Sequence, residues 1–146
     1  MIVITDSNEV ISALIQKNGV VARIFRAKSN IQFIAPNYII DEVKNHYSKI
    51  EKLSNLSKKE LKTEFEWLLS RIKIIDTKKI PKKYLFEALQ IVRDVDYDDL
   101  FFVALNRYKG YKIWSSDKEL IKGVEAKGYK IFITTSELKK HLYKIE

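Results

Sequence analysis

The chain predicts an α/β fold with a mostly parallel central sheet of about five strands, wrapped by helices on both faces. Three observations lead there. Five short apolar runs, most of them rich in β-branched residues, punctuate the 146 residues. Between them lie longer stretches whose apolar residues recur at helical spacing. The breaks fall at residues such as Gly19, Pro36, Pro81 and Gly110, which stop or start such elements. With helices standing between them, the strands must cross over and run parallel.

The first run, Ile2-Val3-Ile4, has the character of a buried strand and ends at Thr5-Asp6. Residues 8–16 then carry Val10, Ile11, Ala13, Leu14 and Ile15 on a helix stopped by Gly19. Residues 20–28 repeat the pattern through Val21, Ile24 and Phe25, an apolar face suited to the core or to a second copy. Residues 31–35 form the second strand. From 37 to 50, Ile39, Ile40, Val43 and Tyr47 keep helical spacing, and the polar stretch 51–57 reads as a turn.

Ser57-Lys-Lys-Glu60 has the form of a capping box and opens a helix running to Arg71. That helix presents Leu61, Phe65, Leu68 and Leu69. Residues 72–75 are the third strand. Pro81 opens a helix with Leu85, Ala88, Leu89 and Val92, and another begins at Leu100 and ends near Gly110. Residues 112–114 are the fourth strand, Ser116 to Glu119 a second capping box, and residues 129–133 the fifth strand. Thr134-Thr-Ser-Glu137 starts the last helix. Trp67 and Trp114 read as core residues, and His46 and His141 as surface residues. There is no repeat or linker, so residues 1–146 read as a single domain.

Composition narrows the function classes. A hydrophobic fraction of 46% with 32% charged residues is ordinary for a globular domain. With no cysteine there is no disulfide framework and no thiolate metal site. Two histidines are too few for a structural zinc site. No apolar run approaches the roughly 20 residues that cross a bilayer. Nor does the start resemble a secretory signal, so a cytoplasmic location is expected. No G-x-G-x-x-G occurs, which speaks against a dinucleotide site. The net charge of +8 suits a polyanionic partner. Its 22 lysines are dispersed along the chain, however, and charge alone does not choose between nucleic acid and a compositional bias.

Against that basic background, Asp94, Asp96, Asp98 and Asp99 crowd into Asp-Val-Asp-Tyr-Asp-Asp, directly before an apolar helix. In parallel sheets ligands lie beyond the carboxyl ends of the strands. Asp6 falls at that end of the first strand, and Asp117 just past that of the fourth. Glu42 lies on the helix after the second strand, and Asp99 opens a helix. Each has a plain structural explanation taken alone. Asp6, Asp96 and Asp117 suit helix caps or first turns, and Glu42 suits a solvated face. Brought together, the acids from distant segments would repel one another unless a cation sat among them. Mg²⁺ or Mn²⁺ would suit such a cluster, since it takes oxygen ligands alone. With Asp6, Glu42, Asp96, Asp99 and Asp117 set aside, 14 acidic residues remain against 27 basic ones, a collar fit for a polyanion.

The order Asp6-x-Asn8, a helical Glu42 in Asn-Tyr-Ile-Ile-Asp-Glu-Val, Asp-Tyr-Asp-Asp-Leu-Phe-Phe-Val-Ala-Leu, then Ile-Trp-Ser-Ser-Asp-Lys-Glu-Leu resembles the PIN-domain ribonucleases, which include the VapC-type toxins. The resemblance runs from Ile2 to about Ile133. It implies an α/β/α sandwich that binds Mg²⁺ or Mn²⁺ and cleaves RNA. Asp6, Glu42, Asp99 and Asp117 would be the catalytic, metal-binding acids, with Asp96 as the auxiliary acid. Asn8 and Ser115 would steady carboxylates and water, and Asp98 would be a bystander. The resemblance also implies a homodimer and, for a toxin, silencing by an antitoxin protein. The helix over 57–71 makes the middle longer than in the most compact toxins. Two rivals stand beside the nuclease: a PIN-like RNA-binding module without the chemistry, and a receiver-like domain using an acidic pocket for Mg²⁺.

Overall fold

The computed structural model describes residues 1–144. Five parallel strands form one sheet in the order β3-β2-β1-β4-β5. They are β1 (Ile2–Thr5), β2 (Gln32–Pro36), β3 (Ile72–Ile75), β4 (Ile113–Trp114) and β5 (Phe132–Ile133). Among the described residues nine α-helices flank it: α1 (Ser7–Ile15), α2 (Val20–Arg26), α3 (Tyr38–Asn45), α4 (Tyr47–Ser54), α5 (Lys58–Ser70), α6 (Lys82–Val92), α7 (Leu100–Lys109), α8 (Lys118–Glu125) and α9 (Thr135–Lys144). α7 lies across β1, β2 and β4 with α6 packed on it, whereas α1 gathers α2, α3, α4 and α5. This is the α/β/α sandwich that the alternation of strands and helices predicts. No described helix is long and apolar enough to cross a membrane.

The central strands are buried on both faces, which is why they read as unbroken apolar runs. Val3, Ile4, Ala35, Ile113 and Trp114 are all enclosed. Trp114 packs against Phe25 and Phe33, with the three ring centroids 5.0 to 5.7 Å apart. Its indole Nε1 donates to Thr135 Oγ1 at 3.0 Å, so the buried polar edge is satisfied. Trp67, by contrast, is not in the core: it is 37% exposed on α5, with the Arg26 guanidinium 5.9 Å from its ring centroid. The sequence reading puts it in the core, but Leu61, Phe65 and Leu68 alone form the buried stripe of α5.

Other boundaries differ from expectation for local reasons. The helix expected over 37–50 breaks at His46, where the backbone leaves helical geometry and the ring Nδ1 lies 2.8 Å from the Glu42 carbonyl oxygen. α4 then continues through Ser54, so most of the expected turn is helical and ends at Asn55, left-handed at φ 60°. Burial of Ile50 and the edge contact of Tyr47 with Phe65 anchor that helix against α5. The last helix opens as expected, with Thr134 Oγ1 accepting from the Glu137 amide at 3.2 Å. The second capping box does not form, because Asp117 rather than Ser116 caps α8, accepting from the Leu120 amide at 3.1 Å. β5 is shorter than expected, pairing only Phe132 and Ile133 with β4.

The first capping box does form. Ser57 Oγ accepts from the Glu60 amide at 3.1 Å, and Glu60 Oε1 accepts from the Ser57 amide at 3.1 Å. At the other end of α5, Arg71 Nε donates to the Phe25 carbonyl at 3.1 Å, tying the helix to α2. Replacing Ser57 by Ala should lower the unfolding free energy by about 1 kcal/mol, read by urea denaturation. No loss would mean that α5 is held by its buried stripe alone.

Candidate metal centre

The sheet order reverses direction at β1. The chain steps outward from β1 to β2 and β3, then returns to place β4 on the other side. At such a reversal the loops after the two central strands diverge and leave a crevice at their carboxyl ends. Asp6 follows β1 directly, and the turn Ser115-Ser116-Asp117 follows β4. Ser115 Oγ donates to Asp6 Oδ2 at 2.9 Å and also accepts from the Asp117 amide at 3.1 Å. One hydroxyl thus ties together two loops more than a hundred residues apart in sequence.

The other acids arrive from the helices. Glu42, on α3, accepts a short hydrogen bond from the Ser7 hydroxyl at the start of α1. The loop after α6 closes as a tight 3₁₀ turn over Tyr97–Asp99. Its start is capped by Asp96, whose Oδ1 accepts from the Asp98 amide at 2.9 Å. Asp99 ends that turn, leads into α7, and is only 7% exposed. Of the crowded acids, Asp94 faces away and pairs with Lys127.

Electrostatics gives the proximity of these groups. Burial pushes the Asp99 carboxyl up to about 8, and the charges of Asp6, Asp96, Glu42 and Asp117 push in the same direction. Asp6, 1% exposed, rises to about 7. Burial is the main cause, the Ser115 bond opposes it, and the charges of Glu9 and Glu42 add to it. Glu42 is raised by burial and by Asp98, against the bond from Ser7. The Tyr38 hydroxyl lies against Glu42 and Asp98, and burial with those two charges lifts it to about 12. The ion pairs among the described residues, Arg26–Glu64, Arg107–Glu87 and Lys127–Asp94, use none of these carboxylates.

The expected residues therefore divide. Asp6, Glu42, Asp96, Asp99 and Asp117 share one electrostatic neighbourhood, and Ser115 touches two of them. Asn8 is exposed, and it reaches Asp6 through its backbone amide. Four further residues enter that the sequence reading missed: Ser7, Glu9, Tyr38 and Asp98. Asp98, expected to stand apart, lies near this group, and its charge bears on Glu42 and Tyr38. Tyr38 stands one helical turn before Glu42, a spacing that marks neighbours on a helix. Ser7 lay in plain view inside Asp-Ser-Asn.

Do these groups suit a divalent ion? The donors are all oxygens, as Mg²⁺ and Mn²⁺ prefer. Glu42 Oε2 is buried with no hydrogen-bond partner, as are both carboxyl oxygens of Glu9. Among the described residues no group of three acidic or histidine side chains is arranged to hold a metal ion as it stands. Ser115 and Ser7 instead hold Asp6 and Glu42 in place. The chemistry of the donors fits such an ion, with the carboxylates pre-positioned near one another.

Comparison with known proteins adds the following. The family model of the PIN domain matches residues 4–143. No curated protein matches the chain. Among solved structures, a chain in the crystal structure of VapBC2 from Rickettsia felis, bound to a DNA fragment from their promoter, superposes with a TM-score of 0.64. The two sequences are 18% identical, and the match covers 92% of this chain and 97% of that one.

The raised carboxyls set a pH dependence. A folded-state pKa above the unfolded value means that the folded protein binds protons more tightly, so these groups lower stability as pH rises. The window runs from about 4, the ordinary carboxylate range, through about 7 for Asp6 and about 8 for Asp99. In EDTA the thermal midpoint should climb as pH falls from 8 to 5, and Asp99→Asn should flatten part of that climb. A midpoint that falls toward pH 5 in both proteins would contradict this account.

Proposed function

This chain belongs to the PIN-domain family, and from that premise we propose that it is a divalent-metal-dependent endoribonuclease. The observation that carries the reading is the gathering of carboxylates at the carboxyl edge of the sheet, Asp6 and Asp99 buried, with none of them in an ion pair among the described residues. A domain that only bound RNA would gain nothing from enclosing like charges, which are costly to bury without a partner. A receiver-like Mg²⁺ pocket is poorly matched, since Ser7 rather than a second acid follows Asp6.

Asp6, Glu42, Asp99 and Asp117 are the proposed catalytic, metal-binding acids, with Asp96 at the exposed margin. Ser115 keeps Asp6 from turning away and links it to the Asp117 amide. Ser7 does the same for Glu42, and Asn8 steadies Asp6 through its amide. When bound, Mg²⁺ or Mn²⁺ would supply positive charge to a phosphodiester and make water a stronger nucleophile. The protein's part is to hold its carboxylates together in a half-enclosed crevice, where a cation would favour their ionised form, and to present a basic surface to the RNA backbone. Cleavage by water in line with the leaving oxygen would produce a 5′-phosphate.

The fold match to the VapBC2 chain supports the architecture; that this chain is a toxin, pairs as a homodimer and is silenced by an antitoxin is our further proposal from the family resemblance. A small DNA-binding protein encoded beside this chain is the expected partner. RNA cleavage should require Mg²⁺ or Mn²⁺ and stop in EDTA. Asp99→Asn should cut turnover by about a hundredfold or more while leaving the metal-free fold as stable or firmer. Both are read with a labelled single-stranded RNA and a thermal melt. Equal turnover in wild type and variant would remove Asp99 from the site.

A further inference from the structure

Glu9 is the one buried carboxyl near this centre that the reading above leaves without a task. It lies on α1, three residues after Asp6, and its relative exposure is 0%. Neither carboxyl oxygen has a hydrogen-bond partner. A carboxyl so enclosed, with no bond in hydrogen-bond geometry, is costly to bury.

The usual structural role for this position fails on both sides. A Glu three residues after an N-cap folds back to the N-cap amide, while the N-cap side chain accepts from the Glu amide. Here the Asp6 amide is committed to the sheet, donating to the Trp114 carbonyl at 3.3 Å. The Asp6 side chain is held by Ser115, and the Glu9 amide donates to the Asp6 backbone carbonyl at 3.1 Å rather than to that side chain. The favourable pull of a helix N-terminus on an acid does not require burial, since it operates on exposed first-turn carboxylates.

What surrounds Glu9 is the acid cluster itself. Its charge bears on Asp6 more strongly than that of Glu42 does. The hydroxyl and amide of Ser116, in the turn that carries Ser115 and Asp117, face Glu9 closely enough to favour its charged form, though outside hydrogen-bond geometry. Glu9 thus sits between Asp6 and the loop after β4, the two parts of the crevice that Ser115 joins.

We propose that Glu9 is a further carboxylate of the divalent-cation site, a positioning residue whose charge beside Asp6 raises the affinity for the ion and whose free oxygens accept from water that accompanies it. This rests on the metal-dependent reading above and adds a residue to it. The task is distinct from that of Ser115, which orients Asp6 without contributing charge.

The test is calorimetric titration of Mn²⁺, with no RNA present, into wild type, Glu9→Gln and Glu9→Leu. Glutamine keeps the shape without the charge, and leucine fills the space with apolar atoms. Both should bind Mn²⁺ about 10- to 100-fold more weakly than wild type, with thermal midpoints in EDTA equal to wild type or higher. A change of twofold or less in either folded variant overturns the proposal. So does failure of both variants to fold, which would make the carboxyl a requirement of the fold. Wild type that binds no Mn²⁺ would instead sink the metal-dependent reading itself, which keeps the two failures apart.

Discussion

The bond from Ser115 to Asp6 is the constraint on which the rest of the centre depends. It closes the crevice between β1 and β4 at the point where the sheet reverses its order. Because β1 and β4 pair directly, Ile4 with Ile113 and Thr5 with Trp114, the residues that follow them must emerge side by side. The Ser115 hydroxyl then selects a single orientation for Asp6 and, through the Asp117 amide, for the start of α8. Trp114, clamped by Phe25, Phe33 and Thr135, makes the base of that arrangement rigid. A site that must hold several like charges near one another needs this stiffness, since repulsion would otherwise spread them.

Enclosing those charges costs stability, and the fold offsets it elsewhere. The core is apolar and continuous, running from β1 to α7 and on to α9. Local polar bonds take up strain where they can: Asp96 caps its own turn, Asp117 caps α8, and Ser7 binds Glu42. What they leave uncovered is informative. Free oxygens remain on Glu42 and Glu9, and the buried carboxyls of Asp6 and Asp99 favour the protonated form near neutral pH. Among the described residues the ion pairs of Arg26, Arg107 and Lys127 use none of the crevice carboxylates, so its negative charge is not neutralised there.

The added length in the middle of the chain has a physical role too. α5 buries Leu61, Phe65 and Leu68 and joins α4, α1 and β3. Tyr47 from α4 meets Phe65 edge-on. This stacks a further helical layer on the same side as α1, whose first residues hold the acids. It supports the helix that positions Ser7 and Glu9 without entering the crevice.

Read as a string, the chain by itself determined the element order, the parallel sheet and the short list of acids. Those follow from apolar period and from the rule that ligands gather where parallel strands end, and both are local properties of residue type. The capping box at Ser57 was legible for the same reason. Tertiary structure alone decided which residues near each acid matter. Ser7 rather than the Asn8 side chain holds Glu42, Asp98 and Tyr38 join the cluster, Trp67 leaves the core, and Asp117 takes the cap that Ser116 was expected to supply. The burial of Glu9 belongs to this second kind. Burial and repulsion depend on segments far apart in sequence, and no spacing along the chain encodes the distance between a helix opening at residue 7 and a turn at residue 116.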